Sequence, residues 1–235
     1  MSAKDLDERA LPPGRVDAPP PSRELLSAIE GMKPVSTRSR FGAFVLVALA
    51  GLVAPAVVLT HHVYRPDLAA LPLAWVIAAA ALWAAASVSA LSAALIPRSG
   101  DVLPAPGQAS RVAVTVLLAL IGFALAASVN VEGVSLRPAD AHLTLLQSCV
   151  HCASVVLEIA VPFLFVGVYI LRRLVPVGRP RLGLALGAGG GAMGGFVLHF
   201  ICGFAGTAHV LIGHVGGTIL AAAVGAALLP ALLRR

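Results

Sequence analysis

Charge is the scarcest commodity in this 235-residue chain: Asp, Glu, Lys and Arg together make up 12% of it, while 58% is hydrophobic. Ordinary globular domains carry about a quarter charged residues, so a mean hydropathy of +0.91 excludes a water-soluble fold as the main body. With only three cysteines, a disulfide-dense secreted scaffold is excluded as well. There is no G-x-S-x-G elbow, no H-E-x-x-H and no P-loop, and no other catalytic constellation, so the expectation is a protein that is not an enzyme. Met1–Arg40 contains no apolar core of signal-peptide length, which leaves the N-terminus expected in the cytoplasm.

What is present is long apolar runs. Six of them are close to the ~20 residues that cross a hydrocarbon core: Phe41–Thr60, Leu73–Ile96, Val112–Asn130, Val150–Leu171, Leu182–Ile201 and Val210–Leu233. The expected fold is an all-α membrane protein, a bundle of six transmembrane helices occupying residues 41–235. Lys33, Arg38, Arg40, Arg98, Arg111, Arg172, Arg173, Arg179, Arg181, Arg234 and Arg235 gather on one side, and only Arg65 and Arg137 on the other. That bias orients the bundle N-in and C-in. The net charge of +6 is thereby a topology signal spread over short segments, and direct nucleic-acid binding is not expected.

Residues 1–21, with Pro12, Pro13, Pro19, Pro20 and Pro21 among charges, cannot bury enough apolar surface to order and read as a disordered cytoplasmic tail. Residues 22–40 are different. Leu25, Leu26, Ile29 and Met32 recur at helical spacing, opposed by Arg23, Glu24, Ser27 and Glu30, and Gly31 and Pro34 end the pattern. A helix of about ten residues is marginal alone in water. It either rests on the bilayer surface or docks its apolar face into a soluble partner's groove, with Lys33, Pro34 and Val35 completing the segment.

Inside the bundle, Gly183, Gly187, Gly191 and Gly195 recur every four residues along the fifth span. Such a strip lets two helix backbones come close, and the sixth span answers with Gly213, Gly217, Ala221 and Gly225. Pro55 and Pro162 are expected to kink the first and fourth spans. Tyr64 and Trp75 read as interfacial anchors. Glu158, the one acidic residue deep in a span, calls for a partner inside the bundle; it lies seven residues after His151, on the same helical face about 10 Å further along.

All seven histidines and three cysteines fall on the outer side. His61 and His62 follow the first span, His142 lies in a loop, and Cys149, His151 and Cys152 enter the fourth span. His199 and Cys202 leave the fifth, and His209 and His214 enter the sixth. Outside a bacterial inner membrane thiols tend towards disulfides, and Cys202 is placed to bridge to either Cys149 or Cys152. That bridge is a fixed staple in one reading. In the other, Cys149, Cys152 and Cys202 are a switchable set, because a C-x-x-C at a helix N-terminus lowers the pKa of its first sulfur. Thiolate with imidazole also suits a soft metal ion, for which His151, Cys152, His199, Cys202 and His214 are the candidate ligands. No other cofactor is expected. A membrane thiol-disulfide oxidoreductase is an alternative function, although it would want a second relaying cysteine pair; a haem-binding or metal-transporting bundle is another, although the inner half of the spans is nearly bare of polar residues.

From Ser148 to Arg235 the chain resembles the NrsF family of six-helix bacterial anti-sigma factors. The matching residues are a cysteine opening the fourth span (Cys149 or Cys152), Pro162, Leu171-Arg172-Arg173 with Pro176, the glycine-rich fifth span, Leu198-His199 with Cys202, and His214 twelve residues beyond that cysteine. Leu25–Arg40, LLSAIEGMKPVSTRSR, is similar to the family's short cytoplasmic segment. The third cysteine departs from the pattern, as does Gly213-His214 where many relatives have Trp-His. The resemblance implies a multi-pass protein of the bacterial inner membrane. Its partner would be an extracytoplasmic-function sigma factor, held through the N-terminal segment and released on a stress sensed by the outer cysteines.

Overall fold

The computed structural model of the chain describes residues 22–24, 27, 37–96, 106–128, 144–171, 179–204 and 206–233. Among them there is no β-strand. The chain divides into Met1–Val35 and Ser36–Arg235. In the first unit Arg23, Glu24 and Ser27 are helical, and the Ser27 hydroxyl donates to the Glu24 carbonyl at 3.0 Å. The expected tail over residues 1–21 and the docking residues Leu25, Leu26, Ile29, Met32, Lys33, Pro34 and Val35 lie outside the described residues.

The second unit is a helical bundle: α1 (Thr37–His61), α2 (Leu73–Leu95), α3 (Pro106–Ser128), α4 (Leu145–Leu171), α5 (Arg179–Ile201) and α6 (Thr207–Leu232). Five of these, all but α3, are long and apolar enough to cross a membrane. Within α3 the apolar described stretch is the shorter Val114–Leu125, so the third expected span is a helix with a briefer apolar core. The outer surface is apolar, with Leu49, Val53, Leu117, Leu146, Phe165 and Ile219 among many large hydrophobic side chains left exposed. A continuous apolar exterior marks a lipid-facing surface rather than a water-facing one.

α5 is the central post, with 78% of its apolar stretch buried, and it packs on α6, α2 and α4. Its glycines explain how. A Cβ on Gly183 would run into the backbone oxygen of Gly225, and one on Gly187 into that of Ala221; one on Gly191 would come within 2.8 Å of Thr218 Cα. Gly195, fourth in the strip, turns instead to the Trp83 ring of α2 at 2.5 Å. Gly190 and Gly194 meet Ala160 Cα and Val156 Cα of α4 at 2.8 and 2.7 Å. Of the sixth-span residues, Ala221 and Gly225 face α5, whereas Gly213 and Gly217 face α4. Close backbone approach takes the place of a hydrophobic driving force between helices in lipid.

Side-chain bonds pin the remaining helices. Arg111 of α3 donates to the Ile96 carbonyl at 2.7 Å and the Ser92 carbonyl at 3.3 Å, capping the end of α2. Trp75 Nε1–H of α2 donates to the Leu125 carbonyl of α3 at 3.0 Å. The loop after α1 is tied down by a buried pair: the Arg65 guanidinium grips the Asp67 carboxylate with two nitrogens, and Arg65 N–H donates to the Phe200 carbonyl of α5 at 2.9 Å.

Candidate functional site

The end of α1, the start of α4, the end of α5 and the start of α6 meet at one end of the bundle. α4 begins with a reciprocal cap: Thr144 N–H donates to Gln147 Oε1 at 2.9 Å, and Gln147 N–H donates to Thr144 Oγ1 at 3.3 Å. This Thr-x-x-Gln capping box satisfies two donors of the first turn and fixes where the helix starts. Ser148, Cys149 and Cys152 then point inward and are buried. His151, about 100° round from Cys152 on a 3.6-residue helix, is exposed.

α6 begins abnormally. After a single turn at Thr207–His209 the chain runs as a π-helix over Val210–Val215 before returning to α-helix at Gly216. In an α-helix, residues five apart are about 140° apart around the axis. A π-turn closes its hydrogen bonds from i to i+5, which brings His209 and His214 to one side. Both are buried, with ring centroids 5.4 Å apart.

The result is a compact cluster. Cys152 Sγ and Cys202 Sγ are 3.6 Å apart, and His209 Nε2 lies 3.3 Å from each. One ligand atom from each of Cys152, Cys202, His209 and His214 falls within 4.8 Å of the others, and all four residues are buried. None of the three cysteines is in a disulfide. The Ser148 hydroxyl donates to the Leu145 carbonyl at 2.9 Å, so at 3.1 Å from His209 its oxygen accepts from Nδ1–H. That assignment leaves the Nε2 lone pair directed at the two sulfurs. Phe204 stacks on the His209 ring at 4.9 Å.

Cys149 sits at the edge of this group, its Sγ 3.6 Å from His209 Nδ1. Cys202, one residue beyond α5, is held well below the ordinary thiol range. The hydrogen bond with Cys152 does most of this, against the opposing effect of burial, and His209 and His214 add to it. A cavity of about 50 Å³ lined by His62, His151, Cys152, Cys202 and Phe204 reaches the sulfurs.

Three of the five candidate metal ligands, Cys152, Cys202 and His214, therefore come together. His151 stands at the cavity wall, on the exposed side of α4. His199 turns to α2, where its Nε2 lies 3.2 Å from the Val76 carbonyl and its ring packs on Trp75 at 4.9 Å. His61 and His62 are exposed, and His142 lies outside the described residues. Glu158 is exposed on the same outward stripe of α4 as His151, away from the bundle interior where a partner was expected. The member that spacing fails to select is His209, because no α-helical register puts it beside His214.

A model of the family described as negative regulator of sigma F, NrsF, matches residues 29–234. The chain belongs to the NrsF family. No curated protein and no solved structure matches it. This NrsF member is thus a negative regulator of a sigma factor by family, and the matched region runs from within the N-terminal segment through the thiol cluster to the end of α6.

Proposed function

We propose that the protein is an anti-sigma factor of the bacterial inner membrane, with six spans and both termini in the cytoplasm. Its N-terminal segment sequesters an extracytoplasmic-function sigma factor, with the apolar face of Leu25, Leu26, Ile29 and Met32 against the partner and Lys33, Pro34 and Val35 completing the contact. The buried thiols receive the signal. The observation that carries this reading is the family match over residues 29–234, which takes in Ile29–Val35 of the segment and the residues of the thiol cluster.

The signal acts on bonding among Cys149, Cys152 and Cys202. A peroxide would take two electrons and two protons from Cys152 and Cys202, leaving as water and joining the sulfurs as a disulfide. Closing 3.6 Å to about 2.05 Å draws the end of α5 towards α4. α4 in turn touches α1 at a tight point, where a Cβ on Gly51 would enter the Phe163 ring, and α1 is continuous in sequence with the docking segment. A few kcal/mol between the two bonded states suffices to shift the regulator from holding to releasing.

The test is capture of the sigma factor. Leu25→Asp, Leu26→Asp and Ile29→Asp together are expected to leave a co-expressed sigma factor in the soluble fraction while the regulator stays in the membrane. Undiminished capture by that variant contradicts the docking.

A further inference from the structure

The Cys152, Cys202, His209 and His214 quartet has more order than a thiol switch requires. We propose that these four residues bind a single divalent cation of the zinc class in a closed tetrahedral site. A tetrahedron with zinc–sulfur bonds of about 2.3 Å and zinc–nitrogen bonds of about 2.0–2.1 Å has edges of roughly 3.3–3.8 Å. The sulfur–sulfur separation of 3.6 Å and both sulfur–Nε2 separations of 3.3 Å lie in that range, and the fourth ligand atom, from His214, is within 4.8 Å of the others, so ligation would draw it inward by about 1 Å at most.

Three further observations point the same way. His214 Nε2 is buried with no hydrogen-bond partner among the described residues; ligation would give that nitrogen a partner. Ser148 and the Leu145 carbonyl fix the His209 tautomer so that Nδ1 carries the proton and Nε2 presents its lone pair, the outer support that metal-binding histidines receive. The π-turn at Val210–Val215 puts two imidazoles where α-helical spacing would separate them, and such turns concentrate at functional sites. Two thiolates and two neutral imidazoles around a divalent ion sum to no net charge, which suits a buried position. Each thiol loses its proton on binding, and the cavity beside His62 and His151 gives the ion a way in.

With four protein ligands and no open position, the site is of the structural kind, clasping α4, the end of α5 and the start of α6. The site shares Cys152 and Cys202 with the proposed disulfide, so the ion must leave before those sulfurs can join; metal loading and sigma capture are read separately, and loss of capture leaves the metal site standing.

The experiment uses the full chain, tag removed, purified in detergent under reducing conditions and loaded with cobalt as a spectroscopic probe. One cobalt per chain with thiolate-to-cobalt charge-transfer absorption, displaced by zinc, is expected. Cys152→Ser and His214→Ala should abolish it, whereas Cys149→Ser, His151→Ala and His199→Ala retain it; Ser148→Ala should weaken affinity about 10–100-fold. Should the first two variants fail to accumulate, the wild-type stoichiometry and spectrum decide alone. Less than one cobalt per chain, a spectrum without thiolate bands, or loading untouched by Cys152→Ser and His214→Ala overturns the site.

Discussion

Cys152 Sγ and Cys202 Sγ face each other at 3.6 Å, the first from the second turn of α4 and the second just past the end of α5. Cys149, one turn earlier on α4, instead lies against His209. Either residue of the C-x-x-C is within sequence reach of Cys202, and the geometry brings Cys152 nearer to it. The first prediction follows from it. Mild oxidation of membranes should crosslink Cys152 to Cys202 and leave Cys149 open to alkylation, as read by mass spectrometry of proteolytic fragments. Cys149→Ser should not reduce the crosslink; Cys202→Ser should abolish it.

The glycine contacts between α5 and α6 predict a steep size dependence. Gly187→Val puts a branched side chain into the Ala221 backbone, and overpacking of this kind costs about 1–3 kcal/mol or more. The unfolding temperature in detergent should fall accordingly, while Gly42→Ala, with nothing within 4 Å of the added atom, should leave it unchanged or raise it slightly, because alanine favours the helix.

The buried pair in the α1–α2 loop predicts asymmetry between single and double substitution. Arg65→Met strands the Asp67 carboxylate, a loss of about 3–5 kcal/mol for a buried ion left alone. Replacing both residues, as Arg65→Met with Asp67→Leu, should recover most of that loss. Urea or thermal denaturation of the wild type and the two variants in detergent measures the recovery.

At the start of α4, Thr144→Ala removes the cap acceptor for Gln147 N–H and should cost about 1 kcal/mol. The effect should be local, appearing as faster amide exchange over the first turn and faster alkylation of Cys149 and Cys152.

Much of the bundle is legible in the chain. Apolar length locates the helices, and the four-residue glycine spacing marks α5 as the helix others approach closely. The third span is less clear, since its apolar described core is the short Val114–Leu125. The thiol cluster is legible in part. Rim positions follow from span ends, but which side chains converge depends on rotation about each helix. Cys152 points inward, so its neighbour His151 cannot; His199 is drawn to the Val76 carbonyl across the bundle, a contact that no local spacing encodes. His209 stays hidden because a π-turn breaks the 3.6-residue period on which face assignments rest. Arg65 reads as a loop charge until the fold buries it against Asp67.

The central claim is that chemistry at the thiols governs possession of the sigma factor by the N-terminal segment. It is tested most directly in sealed membranes from cells co-expressing both proteins, by measuring the fraction of sigma factor released when peroxide is added. Wild-type membranes should release most of it, and membranes carrying Cys149→Ser, Cys152→Ser and Cys202→Ser together should retain it. Equal release from both would contradict the account.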